Sequence, residues 1–307
     1  MRKGRLHLLG PGILAAMIVV LVAPGAVEGS SGMAITSCGQ TLTTNGFLVD
    51  DLSCTGDGVI AGAPKITIDL RGFTLRGDGG GSDTGIDDTG FDGVKVENGV
   101  VRNFGFGVGI DADGTSVSAI VASANVSDGI IVTAVGGTAS VTSSTASGNG
   151  ANGIDIHAVS ASIASSSAYG NAIQGIIVQG APTLMKSSIK SSSASGNADS
   201  GFYVSGDAMS ISSATAIGNG GSGIEVYGTK ASIKSTTASG NETRGIFVQG
   251  DAAGVTGNHA DGNGFQSGAS DNNGLGIHVT GYTTAPKGTN TAHGNDAAAE
   301  CLPKLLC

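Results

Sequence analysis

The residue pair best suited to proton chemistry is Asp155 and His157, at i and i+2 in Ile154-Asp155-Ile156-His157. On an extended strand such residues leave the same face about 7 Å apart. The carboxylate can serve as base or nucleophile and the imidazole as acid. Asp-x-His also occurs on strands that do no chemistry, so the surroundings must decide. Asp111 and Glu225 offer further carboxylates. Tyr203, Tyr227 and Phe247 offer rings, and Gln179, Gln249 and His278 offer hydrogen-bonding groups. Rings cover sugar C–H surfaces while amides, acids and imidazoles bond hydroxyls, which is the chemistry of a glycan site. His259 and His293 fall in third-strand or turn positions and read as plain surface residues.

A repeat brings these residues together. Asn-x-x-x-Gly begins at Asn103, Asn125, Asn149, Asn171, Asn197, Asn219, Asn241 and Asn272, with spacings of 22, 24, 22, 26, 22, 22 and 31. The last becomes 22 plus 9 if Asn263 marks the true repeat and 264–272 is an insertion. The shorter insertions are expected in turns. After each Gly comes a four-residue phrase: VGID, IIVT, IDIH, IIVQ, FYVS, IEVY, IFVQ, IHVT. First and third letters are always apolar, the mark of a strand with one buried face. A second strand phrase and a third, Ser/Ala-rich one complete each unit. Three strands in 22 residues leave no room for a helix. The unit predicts an all-β parallel solenoid, each strand pairing with its copy one coil away, about 4.8 Å along the axis. Stacked Asn amides then bond one another at a fixed turn. The Gly four residues later is expected to supply a backbone angle forbidden to other residues.

Stacking turns the phrases into columns. The first outward column reads Gly109, Ile131, Asp155, Ile177, Tyr203, Glu225, Phe247, His278. The second reads Asp111, Thr133, His157, Gln179, Ser205, Tyr227, Gln249, Thr280. Eight coils give a strip of roughly 38 Å. Ile131, Ile177 and Phe247 are expected to be exposed on it, which favours binding over mere solvation. A solvated face also needs polar residues somewhere, and the absence of Trp favours that plainer reading.

Residues 1–29 read as a secretory signal peptide: a basic start, then the apolar run Ile13–Ala23, too short to span a bilayer. Cleavage after Ala26, Gly29 or Ala34 is compatible with the small residues there. Its removal takes the net charge from −9 to −11. Such a chain repels a nucleic-acid backbone. No other long apolar run exists, so the expected protein is secreted, extracellular or periplasmic, with no membrane span. Residues 30–106 read as an N-terminal cap with first coils, 107–295 as regular coils and 296–307 as a C-terminal cap. Four Cys in an exported chain imply disulfides. A rod separates Cys38 and Cys54 from Cys301 and Cys307, which leaves the pairs Cys38–Cys54 and Cys301–Cys307. The acidic stretch 77–93 holds Asp78, Asp83, Asp87, Asp88 and Asp92. These are oxygen ligands of the type Ca²⁺ takes, without the spacing of a known calcium loop. It reads as an insertion, and no metal or cofactor is expected.

The opening Cys38-Gly39-Gln40-Thr41-Leu42, the later Ile66-Thr67-Ile68-Asp69-Leu70-Arg71-Gly72-Phe73-Thr74-Leu75 and the Gly-Asn-x-x-x-Gly-Ile phrases resemble right-handed parallel β-helix proteins of the pectin-lyase-like group, bacterial secreted members. The resemblance covers about 38–295. It implies a right-handed solenoid and substrates on the first-strand sheet. Many such proteins are polysaccharide lyases, hydrolases or epimerases; others are adhesins. The signatures Asn-Thr-Asp with Gly-His-Gly, or Asp-Pro-His, are missing here. The leading expectation is binding of a polysaccharide or cell-surface glycan along the first-strand face, with possible lyase or hydrolase activity. The alternative is a non-catalytic adhesin or surface spacer. An ice or mineral binder is disfavoured because Lys190 and Lys234 interrupt the Ser/Thr rows. A parallel strand face is also a possible trimer surface, so the oligomeric state stays open.

Overall fold

A computed structural model describes residues 32–180, 186–251, 254–264, 274–283, 287–296 and 300–307. The signal-peptide reading and Asn272 lie outside the described residues. The chain winds as a parallel β-solenoid of about 11 turns, each of about 22 residues. Three walls run its length. On the first, Ile130, Ile154, Ile176, Phe202, Ile224, Ile246 and Ile277 stand in register. On the second, the inward column is Val117, Val141, Ile163, Ile189, Ile211, Ile233 and Val255. On the third it is Ala122, Ala146, Ala168, Ala194, Ala216 and Ala238.

That division of sizes explains the composition. Two walls of branched side chains fill the interior, and the third approaches closely only because its column is alanine. All these columns are buried. Each fully buried Val or Ile is worth about 1.5–3 kcal/mol.

The turn before the first wall carries the amide ladder. The Nδ2 of Asn149 donates to Oδ1 of Asn171 at 2.9 Å and to the Ala122 carbonyl at 3.3 Å, and its backbone N–H donates to the same Oδ1. The pattern repeats through Asn171, Asn197, Asn219 and Asn241. Beyond Asn241 the ladder runs through Asn263 to Asn295. One expected member differs. At the other end the residue bonded to Asn125 is Phe104, through its backbone N–H at 3.1 Å. Asn103 sits one position earlier in the left-handed turn (φ 61°), the place of Gly148 in the coil of Asn149. Its side chain tolerates that angle, which is what put an Asn there.

The Gly four residues after each Asn also differs from expectation: none of these glycines has positive φ. They are required by close approach. A Cβ on Gly223 would lie 2.7 Å from the Asn241 Nδ2 and 2.9 Å from the Ala238 Cβ. The positive-φ position is instead the Gly just before Asn, such as Gly148, Gly170 and Gly196.

A second polar ladder lies between walls two and three. Ser144, Ser166 and Ser192 bond successive backbones, and Asn258 and Asn290 continue it near the C-terminal end. Cys38–Cys54 and Cys301–Cys307 are disulfides with Cα separations of 5.6 and 6.1 Å. Parallel pairing already begins at Met33–Ile35 against Gly46–Leu48. Within the acidic stretch, Thr84–Asp88 is a strand of the first wall, seated between Val59–Ala61 and Phe106–Ile110, not a free loop. The two-residue insertion between Asn125 and Asn149 falls at the register shift after Ala134. Among the described residues no helix is long and apolar enough to cross a membrane.

Candidate functional site

The register sets the outward columns as files on one wall. Gly109, Ile131, Asp155, Ile177, Tyr203, Glu225, Phe247 and His278 are consecutive partners. Beside them run Thr133, His157, Gln179, Ser205, Tyr227, Gln249 and Thr280. Asp111 follows Ile110 on the same strand path and lines a concavity of about 200 Å³ with Asp87, Thr84, Phe106, Ile131 and Thr133. Thus the glycan-type residues singled out by sequence share a wall.

Not all of them face solvent. Ile177 is 4% exposed and Phe247 8%, so the expectation of exposed apolar groups fails at both. Alternation sets which wall a residue leaves; it does not say what neighbours then cover it. The rings cover one another. Tyr203 meets Tyr227 at 5.4 Å between centroids, Tyr227 meets Phe247 at 5.6 Å, and Phe247 meets His278 at 5.5 Å. The Arg244 guanidinium lies over the Phe247 ring at 4.5 Å. Tyr203 and Tyr227 remain half-buried, each with accessible surface. The Tyr227 hydroxyl donates to Glu225 at 3.3 Å. Burial, then the Glu225 charge, pushes its pKa up to about 12. Burial, helped by Arg244, pulls the His278 pKa down.

His157 Nε2 approaches Asp155 Oδ1 to 3.0 Å. The contact is close but off-line, so Oδ1 lacks a well-aligned donor. The Asp155 side chain is 10% exposed and that of His157 is 36%. The imidazole therefore stands in front and the carboxylate behind it. Burial raises the Asp155 pKa; His157 opposes this and Asp128 adds to it. Asp128 is itself raised, mainly by burial, and accepts the Asn152 N–H at 2.7 Å. A shallow concavity of about 160 Å³ opens beside the imidazole, lined by Val135, His157, Ala158, Gln179 and Gly180.

Residues 128–297 match the family model described as right handed beta helix region. The chain belongs to that β-helix family. No curated protein matches it significantly. Among solved structures, the β-helix resembles the A-module of mannuronan C-5 epimerase AlgE4 from Azotobacter vinelandii, at 17% identity and TM-score 0.65, over 86% of this chain and 85% of that one. The AlgE6 A-module from the same organism gives 22% identity and TM-score 0.64, over 87% and 78%. A variant of the periplasmic alginate epimerase AlgG gives 10% and 0.50, over 82% and 77%. At these identities the likeness concerns the fold.

Asp128 and Arg244 were missed by the sequence reading of this β-helix. Both occupy the position just before the Gly of Asn-x-x-x-Gly, which reads Asp128, Asn152, Gln174, Ser200, Ser222, Arg244 in successive coils. Six polar residues at one repeat position were the available signal. Among the described residues no group of three or more His, Cys, Asp or Glu side chains converges as a metal centre would.

Asp88 is a separate matter. Its register partner is Ile110, in an inward column, and it is 1% exposed. Oδ1 accepts the Phe91 N–H at 3.0 Å, while Oδ2 has no partner. Burial raises its pKa. The folded state thus holds this proton more tightly than the unfolded one, and stability falls as pH rises from the ordinary carboxylate range through the raised value. Asp88→Asn is expected to raise the denaturation midpoint at neutral pH and to flatten its pH dependence. A variant less stable than the parent at neutral pH refutes this.

Proposed function

We propose that the protein is an exported β-helix that binds a polysaccharide along the outer face of the first wall, with His157 serving proton transfer on the bound chain and Asp155 holding its imidazole. The observation carrying this reading is that one wall collects the Asp155–His157 pair and, two coils further, Tyr203, whose ring meets that of Tyr227 in the next coil and the neighbouring file. At about 4.8 Å per coil that is roughly 10 Å, two sugar steps of an extended β-linked chain. A glycan laid along the axis would meet one coil per sugar, with rings under its C–H faces and Gln179 or His157 at its hydroxyls. Support from likeness is that proteins of this fold include enzymes named for mannuronan and alginate. Two disulfides and the leader-like N-terminus support export.

Purified protein titrated against a panel of soluble polysaccharides tests the reading. Saturable binding of at least one polymer is expected, weakened about tenfold or more when Tyr203→Ala is combined with Tyr227→Ala. Binding unchanged in that double variant, or binding to no polysaccharide, overturns it.

A further inference from the structure

We propose that two copies of the chain pair face to face through the third wall, with their solenoids antiparallel. The two-fold axis runs along the strands of that wall, between the coil of Tyr169 and the coil of Ser195.

The third wall presents two outward files, one on each side of its alanine column. Across six successive coils, Val121 to Thr237 in one file and Ser123 to Ser239 in the other, neither file holds a charged side chain. Lys190 and Lys234 belong to the second wall. Three large apolar side chains stand on this uncharged face: Tyr169 is 50% exposed, Ile217 47% and Val121 38%. Exposed apolar groups gathered on one sheet face mark an interaction surface. The side chains between them are Ser and Thr, short enough for a second sheet to pack at the usual face-to-face distance of about 10 Å.

The charges at the two ends of this face select a second copy, and its orientation. Arg76 and Arg102 precede Ser123 in the second file. Asp261 follows Ser239 in the same file, placed there by the Thr237–His259 pairing and by the Gly240 N–H donating to the Asp261 carbonyl. Asp51 lies beyond the arginine end, where it accepts the Thr74 N–H; Asp199 and Glu242 lie on the adjoining turn, at the rim. A two-fold axis along the strands sets each file against its own copy and reverses the order of coils. With the axis between the coils of Tyr169 and Ser195, Arg102 faces Asp261 of the second copy, and symmetry makes this pair twice. The same placement sets Tyr169 against Ser195 and Ile217 against Ser147 of the second copy, so each large side chain meets a small one. A parallel pairing, about the solenoid axis, would set Arg102 against Val100 and give it no acid. From Arg102 to Asp261 the strip is roughly 35 Å long and about 10 Å across, so it buries on the order of 400 Å² a copy, about half a standard interface. The dimer is therefore weak and forms with concentration, and it leaves the first wall open on both copies.

Sedimentation equilibrium of the purified protein over a range of concentrations, at low ionic strength, tests the pairing. Expected is a reversible monomer–dimer equilibrium that salt weakens. Arg102→Asp sets like charges opposite one another and should weaken the dimer at least tenfold. Arg102→Asp combined with Asp261→Arg restores opposite signs across the axis and should recover the dimer. Both positions are on the surface, so a matching circular dichroism spectrum and denaturation midpoint establish that each variant is folded. Tyr169→Asp with Ile217→Asp should leave monomer alone at concentrations where the parent dimerises. A parent that stays monomeric up to about 1 mM overturns the proposal. So does a dimer that Arg102→Asp leaves unchanged, or a charge swap that fails to restore association.

Discussion

Asn219→Ala is expected to cost about 3–5 kcal/mol of folding stability, read as a shift in a denaturant midpoint. The cost follows from what Asn219 holds. Its Oδ1 accepts both the backbone N–H and the Nδ2 of Asn197. Its own Nδ2 donates to Asn241 Oδ1 and to the Ala194 carbonyl. Truncation leaves two buried donors of Asn197 unsatisfied and strips the Ala194 carbonyl of its side-chain donor. Each such orphan costs about 1–3 kcal/mol, and the void adds to it. Asn219 is fully buried, so water cannot substitute. Asn219→Asp separates the roles. It keeps the acceptor for Asn197 and loses both donations. A carboxyl buried there has its pKa raised, so this variant should be least stable at neutral pH and recover partly in acid. Ser239→Ala, on the outward side of the third wall, should shift the midpoint by less than about 0.5 kcal/mol. A loss below about 1 kcal/mol in Asn219→Ala would mean that coil stacking alone holds the turn.

The same ladder shows how far the sequence could be read. The spacing of Asn and the alternation of apolar letters are local facts repeated coil after coil. In a parallel stack a local fact fixes the three-dimensional neighbour, so the walls and the outward files follow directly. Reading failed where identity alone does not fix conformation. Asn103 has the right residue type at the right spacing, yet it takes the left-handed angle and leaves Phe104 to meet Asn125. The Gly of each repeat was assigned to backbone freedom, because that is what Gly most often supplies. Its real constraint, the Asn amide of the next coil, is a contact between residues 18 apart, as in Gly223 and Asn241. Burial was the other limit. Asp155, Ile177 and Phe247 leave the predicted wall but are covered by side chains from neighbouring coils and the adjoining turn. Asp88 misled for a different reason. Two adjacent acids on a strand must point to opposite sides, so Asp87 faces out and Asp88 enters a column of Ile and Val.

Asp155→Asn and His157→Gln are each expected to lower turnover of the bound glycan by about 10²–10⁴-fold, the usual worth of a positioned proton-transfer group. KM should change far less, since the Tyr203–Tyr227 rings proposed to hold the chain begin two coils away. Asp155 would act indirectly: with a side chain 10% exposed behind the imidazole, it positions His157. Residues that act as a unit are not additive, so the double variant should be little slower than the worse single one. The split between kcat and KM, read beside stability, distinguishes this role from mere packing: kcat should fall with KM and the denaturation midpoint nearly unchanged, whereas a packing defect would lower the midpoint as well. Reducing-end release reads hydrolysis, and ultraviolet absorbance of unsaturated ends reads elimination. A double variant with unchanged turnover would remove proton transfer from this pair and leave the first wall as a binding surface, because the rings and the pair occupy separate coils.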